Sequence, residues 1–397
     1  MKVLDSLITH ASSIAAIRRD IHAHPELFFE EVRTADLIAA KLTEWGIPIH
    51  RGLGKTGVVG ILKQGHSERA IGLRADMDAL PVQEHNQFSH ASRHAGKMHA
   101  CGHDGHVAML LAAAQHLSQH KNFDGTVYLI FQPAEECGGG AREMIRDGLF
   151  DMFPMDAVFA MHNWPGLEVG KFALSAGPVM ASSNEFKITI HGKGSHAALP
   201  HDGIDPVPIA CQMVQAFQTI ISRNKKPVDA GVISVTMIHT GEVTNVVPDR
   251  CELQGTVRTF TPEVLDMIEQ RMRDIAQHTC AAFGATCTFE FERNYPATFN
   301  HANETAFARQ IMTEIVGESQ VVAQEPTMGA EDFSYMLQAK PGAYCFIGNG
   351  EGAHRHLGHG EGPCTLHNPN YDFNDDLIPL GGTYWVRLVE AWLTPRG

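Results

Sequence analysis

Apolar residues recur at helical spacing over residues 4–24 and 30–45, and Pro25 predicts the end of the first helix because its ring cannot continue one. The pattern then changes to short apolar runs, each leading into a polar cluster. AIGLRA (70–75) leads into DMDALP, TVYLIF (126–131) into QPAEE, and AVFAM (157–161) into HNWP. A helix over 105–120, opened by HDGH, falls between the first two runs. Apolar runs alternating with helices predict a mostly parallel sheet covered on both faces, hence an α/β fold. In such sheets ligands gather beyond the carboxyl ends of the strands, where all three polar clusters lie.

From about residue 184 the pattern changes again. EFKITIH (185–191) alternates as a strand does, 206–223 reads as a helix, and 231–240 and 251–259 read as strands. A helix over 262–283 and a strand over 286–292 complete a β-α-β-β-α-β order, the ferredoxin-like split unit. Helices and apolar strands such as GAYCFIG (342–348) then resume. The chain therefore divides into a first domain over 1–178, an inserted domain over 179–297, and a return to the first domain over 298–397. A length of 397 residues accommodates such a division at the usual size of about 150 residues per domain.

Composition narrows the function. With 31 Lys+Arg against 45 Asp+Glu the net charge is −14, and no basic tract is present, which argues against nucleic acid or an anionic membrane surface as partner. The longest uninterrupted apolar run, Val107 to Ala114, is far short of the roughly 20 residues a membrane helix needs. Asp5 and His10 interrupt the first 20 residues, which read as an amphipathic helix and not as a signal peptide. The 8 cysteines are scattered without a CxxC pair, as expected of reduced thiols in a cytoplasmic protein. The unusual count is 24 His, beside 4 Trp and 6 Tyr.

Those histidines concentrate the chemistry. HACGHDGH (99–106) sets Cys101, His103, Asp104 and His106 at the mouth of a helix. Imidazole with thiolate suits zinc and its borderline-soft neighbours, although a polar cap with Cys101 as buried filler would look the same. Glu135 and Glu136 stand side by side in FQPAEECGGG. Adjacent residues of an extended turn point apart, so one can bind a metal while the other acts as general base on water. Asp76 and Asp78 fall on one side of an extended backbone, where either could orient a ligating histidine or bridge two metals. His162 ends the third run, and His354, His356, His359 and His367 compete near the end of the chain; spacing does not choose among these four. GLGKTG (52–57) matches a dinucleotide-binding fingerprint, but strand-like VVGILK follows where a helix is required. No His is followed directly by Glu, which excludes HExxH metalloproteases.

Taken together, RRDIHAHPELFFEE, GLRADMDALP, MHACGHDGH, FQPAEE, MHNWP, GKGSHAALPHDGIDP, TNVVPD, MGAEDF and LHNPNYDFND resemble, in order and over the whole length, the metallopeptidase family of carboxypeptidase G and aminoacylase. Within it they resemble the amidohydrolase branch of hippurate hydrolases and indoleacetyl-amino-acid hydrolases. The resemblance implies a zinc-peptidase-like catalytic domain with an inserted lid and dimerisation domain. It implies two divalent ions held by Cys101, His103, Glu136, His162 and His367, with Glu135 as general base and Asp78 behind the metals. It further implies that His196 stabilises the oxyanion in the partner subunit's site, and that Asn245 and Arg258 hold the substrate carboxylate. In the wider family the first aspartate of DMD is typically a histidine ligand; Asp76 stands there instead, and Cys101 with His103 supplies ligands.

The expectation is a cytoplasmic, homodimeric enzyme that splits N-acyl or N-aroyl amino acids, hippurate being representative, with further association of dimers left open. Zinc is the expected ion, with manganese, cobalt or nickel as alternatives. The rival readings are a dipeptidase, an acetyl-amino-acid deacetylase or an indoleacetyl-conjugate hydrolase of the same fold, and a non-catalytic metal-binding homologue.

Overall fold

The computed structural model describes residues 1–355 and 358–394, so His356 lies outside the described residues. The chain divides into two compact units. One comprises 1–179, 299–325 and the described residues from 332 onward, and the other 180–298 with 326–331. No described helix is long and apolar enough to cross a membrane.

The first unit is built on an eight-stranded sheet: β1 (Ile49–Leu53), β2 (Gly57–Gln64), β3 (Ala70–Asp76), β4 (Gly125–Gln132), β5 (Ala157–Pro165), β6 (Phe172–Ala173), β7 (Val321–Val322) and β8 (Gly342–Gly350). Their spatial order is β1-β2-β4-β3-β5-β8-β6-β7. The central run β4-β3-β5-β8 is parallel, as is β6/β7, while β1/β2, β2/β4 and β8/β6 are antiparallel. Every residue of β3 and β4 is buried, which explains why these strands read as continuous apolar runs and not as alternating ones. Strand β2 occupies the position where a dinucleotide fingerprint would require a helix.

Helices α1 (Asp5–Ala23), α3 (His103–Gln119) and α4 (Leu377–Trp392) pack together beside the sheet, and α2 (Val32–Glu44) packs on α3 and β2. Helix α3 is buried along almost its whole length, so it is apolar all round from Val107 to Ala114 and not amphipathic. Its first residues sit where the parallel strands β3, β4 and β5 end in polar clusters.

The second unit pairs Gly231–Thr240, Arg250–Thr259, Ser183–His191 and Thr286–Tyr295, in that spatial order, as an antiparallel sheet. Helices Pro206–Thr219 and Pro262–Ala282 cover it, each with Pro at the start and a capping side chain, Asp205 and Thr261 respectively. Ile188, Ile190, Phe217, Leu253, Val257 and Met272 belong to their shared core. This is the ferredoxin-like arrangement.

Candidate metal centre

Four chain segments deliver the site, one of them the turn after β4 that carries Glu135 and Glu136. Cys101 precedes α3 and His103 is its first residue; between them Gly102 has φ +91°. A Cβ there would collide with the Asn163 amide and the Tyr371 hydroxyl, so only glycine brings the backbone this close. His162 comes from β5, which does not end at Met161 as the apolar run suggests. The strand continues to Pro165 because β8 pairs along it, Phe346 opposite His162 and Gly350 opposite Pro165. His367 reaches the same place from the loop before α4, its N–H donating to the Ala100 carbonyl at 2.8 Å.

The donor atoms converge in two overlapping groups, Cys101/His103/His162 and Cys101/Glu136/His367, each with its atoms within 4.8 Å of one another. Cys101 Sγ lies 3.4 Å from His162 Nε2. Glu136 Oε1 lies 3.2 Å from His367 Nε2 and 3.8 Å from His103 Nε2. The second nitrogens of the buried histidines are already engaged. His103 Nδ1 donates to Asp78 Oδ1 at 3.1 Å, and His162 Nδ1 donates to the Asn163 carbonyl at 2.6 Å. This fixes both Nε2 atoms as lone-pair donors facing the cluster, the arrangement that histidine ligands adopt. His103 Nε2 is fully buried and makes no hydrogen bond, a costly condition that a divalent cation bound among these N, O and S donors would relieve.

Asp76 belongs to a further group of donors with His103 and His106, all within 4.8 Å of one another, and its Oδ2 lies 3.7 Å from His103 Nε2. Its Oδ1 accepts from His106 Nδ1 at 2.5 Å and its Oδ2 from Arg74 at 2.8 Å. His106 is closed at its other end, where Nε2 accepts the Asn163 N–H at 3.0 Å. Asp78 instead faces the site from behind, Oδ1 on His103 and Oδ2 on the Glu136 N–H at 3.0 Å.

Glu135 and Glu136 do not diverge as an extended turn would make them. A carboxylate oxygen of each lies within 4.8 Å of a His103 nitrogen and of the other. The chain turns sharply here, with Ala134 in the left-handed region at φ +53°. Such a conformation costs a non-glycine residue roughly 1–3 kcal/mol and needs outside support. Glu31 supplies it: Oε1 accepts the Ala134 N–H at 3.0 Å. On the far side Asp332 accepts the Ala141 N–H at 2.9 Å and pairs with Arg74 at 3.0 Å.

The electrostatics call for a cation. Burial, with Glu136, Glu135 and Asp76 nearby, holds the Cys101 thiol well above its ordinary range. Burial alone would lower the His103 imidazole, but Asp76, Asp78 and Glu136 outweigh it and raise it to about 10. The pocket thus favours positive charge at His103 Nε2, whether a proton or a metal ion that displaces it. His162 is held well below its ordinary value by burial and by neighbouring His106, and stays neutral.

The other expected residues are placed as follows. His196 and Asn245 lie together in the second unit, where His196 pairs with Val246 and the Ala197 N–H donates to the Asn245 carbonyl at 3.0 Å. Arg258, in the same unit, donates to Thr256 and to the Val257 carbonyl. His354 bonds the Asp372 carbonyl at 3.1 Å and His359 the Gly360 carbonyl, so neither accompanies Glu136. Asp104 does not cap α3, since Gly102 holds that position; it takes His22 and Arg18 instead. Sequence reasoning missed Glu31, Asn163, Tyr371 and Asp332 as supports. Glu31 and Asp332 stand in the quoted runs HPELFFEE and MGAEDF, where a carboxylate among apolar neighbours is a signal of burial.

An α/β sheet with thiol, imidazole and carboxylate donors gathered at its strand ends is the framework of a metal-binding protein. The model of Peptidase family M20/M25/M40 matches residues 72–391, and the chain belongs to this family. It is 38% identical to a hippurate hydrolase of Campylobacter jejuni over 99% of this chain and 100% of that one. It is 41% identical to an N-acetyl-L-cysteine deacetylase of Bacillus subtilis, over 94% of this chain and 86% of the relative. Among solved structures it is similar to a dinuclear metal-binding peptidase of the M20 family from Bacillus subtilis. That match has TM-score 0.84 and 33% identity over 98% of this chain and 100% of that one. The protein is a metal-dependent amidohydrolase that uses divalent metal and acts on small molecules.

Proposed function

We propose that this enzyme hydrolyses the amide bond of N-acyl and N-aroyl amino acids, hippurate being the representative substrate, with two divalent ions per subunit and zinc as the first choice. The observation that carries the reading is Glu135, a second carboxylate set beside the Glu136 and His103 donors. Cys101, His103, Glu136, His162 and His367 are the residues that would hold the metal. When bound, the ions acidify water and polarise an amide carbonyl. Glu135 takes the proton of the attacking water and passes it to the leaving nitrogen, a role worth about 10²–10⁴-fold. Asp78 holds the His103 tautomer and the Glu136 backbone. In the inserted domain, which we assign to lid and dimer formation, His196 stabilises the oxyanion in the partner subunit's site, and Asn245 and Arg258 bind the substrate carboxylate. We assign the enzyme to the cytoplasm as a homodimer.

Near full-length similarity to a protein named hippurate hydrolase supports the aroyl substrate. The 44% identity to a thermostable carboxypeptidase of Saccharolobus solfataricus, over 84% of this chain and 85% of that one, supports a second reading in which peptides are cleaved. A panel of benzoyl-, acetyl- and indoleacetyl-amino acids with dipeptides, run on zinc- and manganese-loaded enzyme, decides between them. Benzoylglycine turned over with the highest kcat/KM is the expected result; a dipeptide in first place rejects the first reading.

A further inference from the structure

We propose that Glu31 is a positioning residue for the two glutamates of the site, its carboxylate holding the strained turn from which Glu135 and Glu136 project. This rests on the roles proposed above for those two residues. Among the described residues only Phe29, Lys55, Ala134 and His367 are non-glycine residues at positive φ. Two of them give their N–H groups to one oxygen: Phe29 at 2.9 Å and Ala134 at 3.0 Å both donate to Glu31 Oε1. The Thr56 hydroxyl donates to Oε2 at 2.6 Å and fixes the orientation of the carboxylate.

The geometry is closed from both sides. Glu31 and Ala134 are fully buried, so water does not compete for the Ala134 N–H. The Phe29 ring packs where a Cβ on Gly138 would stand, so the segment holding Glu31 also lies against the far end of the catalytic turn. The Ala134 carbonyl is held in turn by the Gly140 N–H at 3.0 Å. Remove the Glu31 acceptor and a buried N–H is orphaned on a residue already in an unfavourable conformation; the backbone then relaxes, and Glu135, the next residue, moves with it. Glu31 makes its hydrogen bonds to Phe29, Ala134 and Thr56, not to the proposed metal ligands, so it acts on them through the backbone it holds.

The test compares Glu31→Ala, Glu31→Asp, Glu31→Gln and the double variant Glu31→Ala/Ala134→Gly in the full-length enzyme. The readouts are zinc affinity, by competition with a chromogenic chelator, and kcat and KM on the best substrate of the panel. Gln keeps an oxygen for both N–H groups, and Thr56 can turn to accept from its amide. Asp keeps the carboxyl group but withdraws the oxygen by one methylene. We expect E31A to lower kcat about 100-fold, E31D at least about tenfold, and E31Q no more than about threefold, since a displacement near 1 Å at a reacting group costs about that much. Zinc affinity falls about 10–100-fold in E31A as Glu136 shifts with its turn. In the double variant a glycine adopts positive φ without strain, and at least about a tenth of the wild-type kcat returns. If E31A does not fold, E31D against E31Q carries the test. The proposal is overturned if E31D keeps full activity, if E31Q falls as far as E31D, or if Ala134→Gly restores nothing. The zinc readout needs no substrate, so it still decides the matter if the wild type hydrolyses none of the panel and the N-acyl reading fails.

Discussion

His103 Nδ1 and Asp78 Oδ1 stand 3.1 Å apart, both fully buried, while the second Asp78 oxygen takes the Glu136 N–H at 3.0 Å. One carboxylate thus orients an imidazole donor and the backbone of a carboxylate donor on different chain segments. The relationship predicts that Asp78→Asn weakens metal binding without emptying the cluster of any donor. An amide can still accept one of the two bonds but no longer favours a proton on His103 Nδ1. A loss of about 10–100-fold in zinc affinity, read by chelator competition, is expected for such an outer partner. Unchanged affinity would mean that Asp78 is a passive neighbour.

Glu135→Gln separates base from ligand. Glu135 is buried beside the His103 and Glu136 donors, and its Oε1 also accepts the Asp332 N–H at 3.4 Å, a bond the amide oxygen can keep. The variant is expected to bind zinc as the wild type does, with kcat lowered about 10²–10⁴-fold and KM little changed. Turnover near the wild-type value with metal bound would remove Glu135 from the role of base.

The strands, the helices and the gathering of polar clusters at one sheet edge were legible because each follows from local apolar pattern and from the geometry of parallel sheets. Choosing His367 over His354 and His359 was not open to spacing, since a tertiary bond from the His367 N–H to the Ala100 carbonyl decides it. The convergence of Glu135 and Glu136 was equally hidden: it depends on the positive φ of Ala134, and alanine carries no local signal for that conformation. Asn163 and Tyr371 are ordinary polar residues in sequence, and their importance arises only where Gly102 lets three segments meet.

His22 gives a pH dependence that is independent of the ligands. Its Nδ1 lies 2.9 Å from Asp104 and its Nε2 3.3 Å from Glu84, all buried. Burial opposes its charge, but Asp104 and Glu84 prevail and raise it to about 10. With a folded value above the unfolded one of about 6.5, its stabilising contribution is complete below pH 6.5 and is lost as pH rises through 10. The melting temperature of the wild type should therefore fall between pH 7 and 10 more steeply than that of His22→Gln. Parallel curves for the two proteins would show that His22 is neutral in the fold.

Asn163 ties together the segments that carry Cys101, His162 and His367. Its amide donates to the Cys101 carbonyl at 2.7 Å and its side-chain oxygen accepts the Tyr371 hydroxyl at 2.7 Å. Its backbone carbonyl takes His162 Nδ1. Asn163→Ala leaves that last bond intact but strands a buried carbonyl and a buried hydroxyl, which costs about 1–3 kcal/mol for each group left unpaired. The variant should melt several degrees lower and bind zinc more weakly, because Cys101 loses its anchor while His162 keeps its own. Cobalt substitution tells the two apart: weakened sulfur-to-metal charge-transfer absorption is expected, since the thiolate ligand loses the bond that anchors its own backbone. A lowered melting temperature with an unaltered cobalt spectrum would confine Asn163 to stability and remove it from the support of the metal centre.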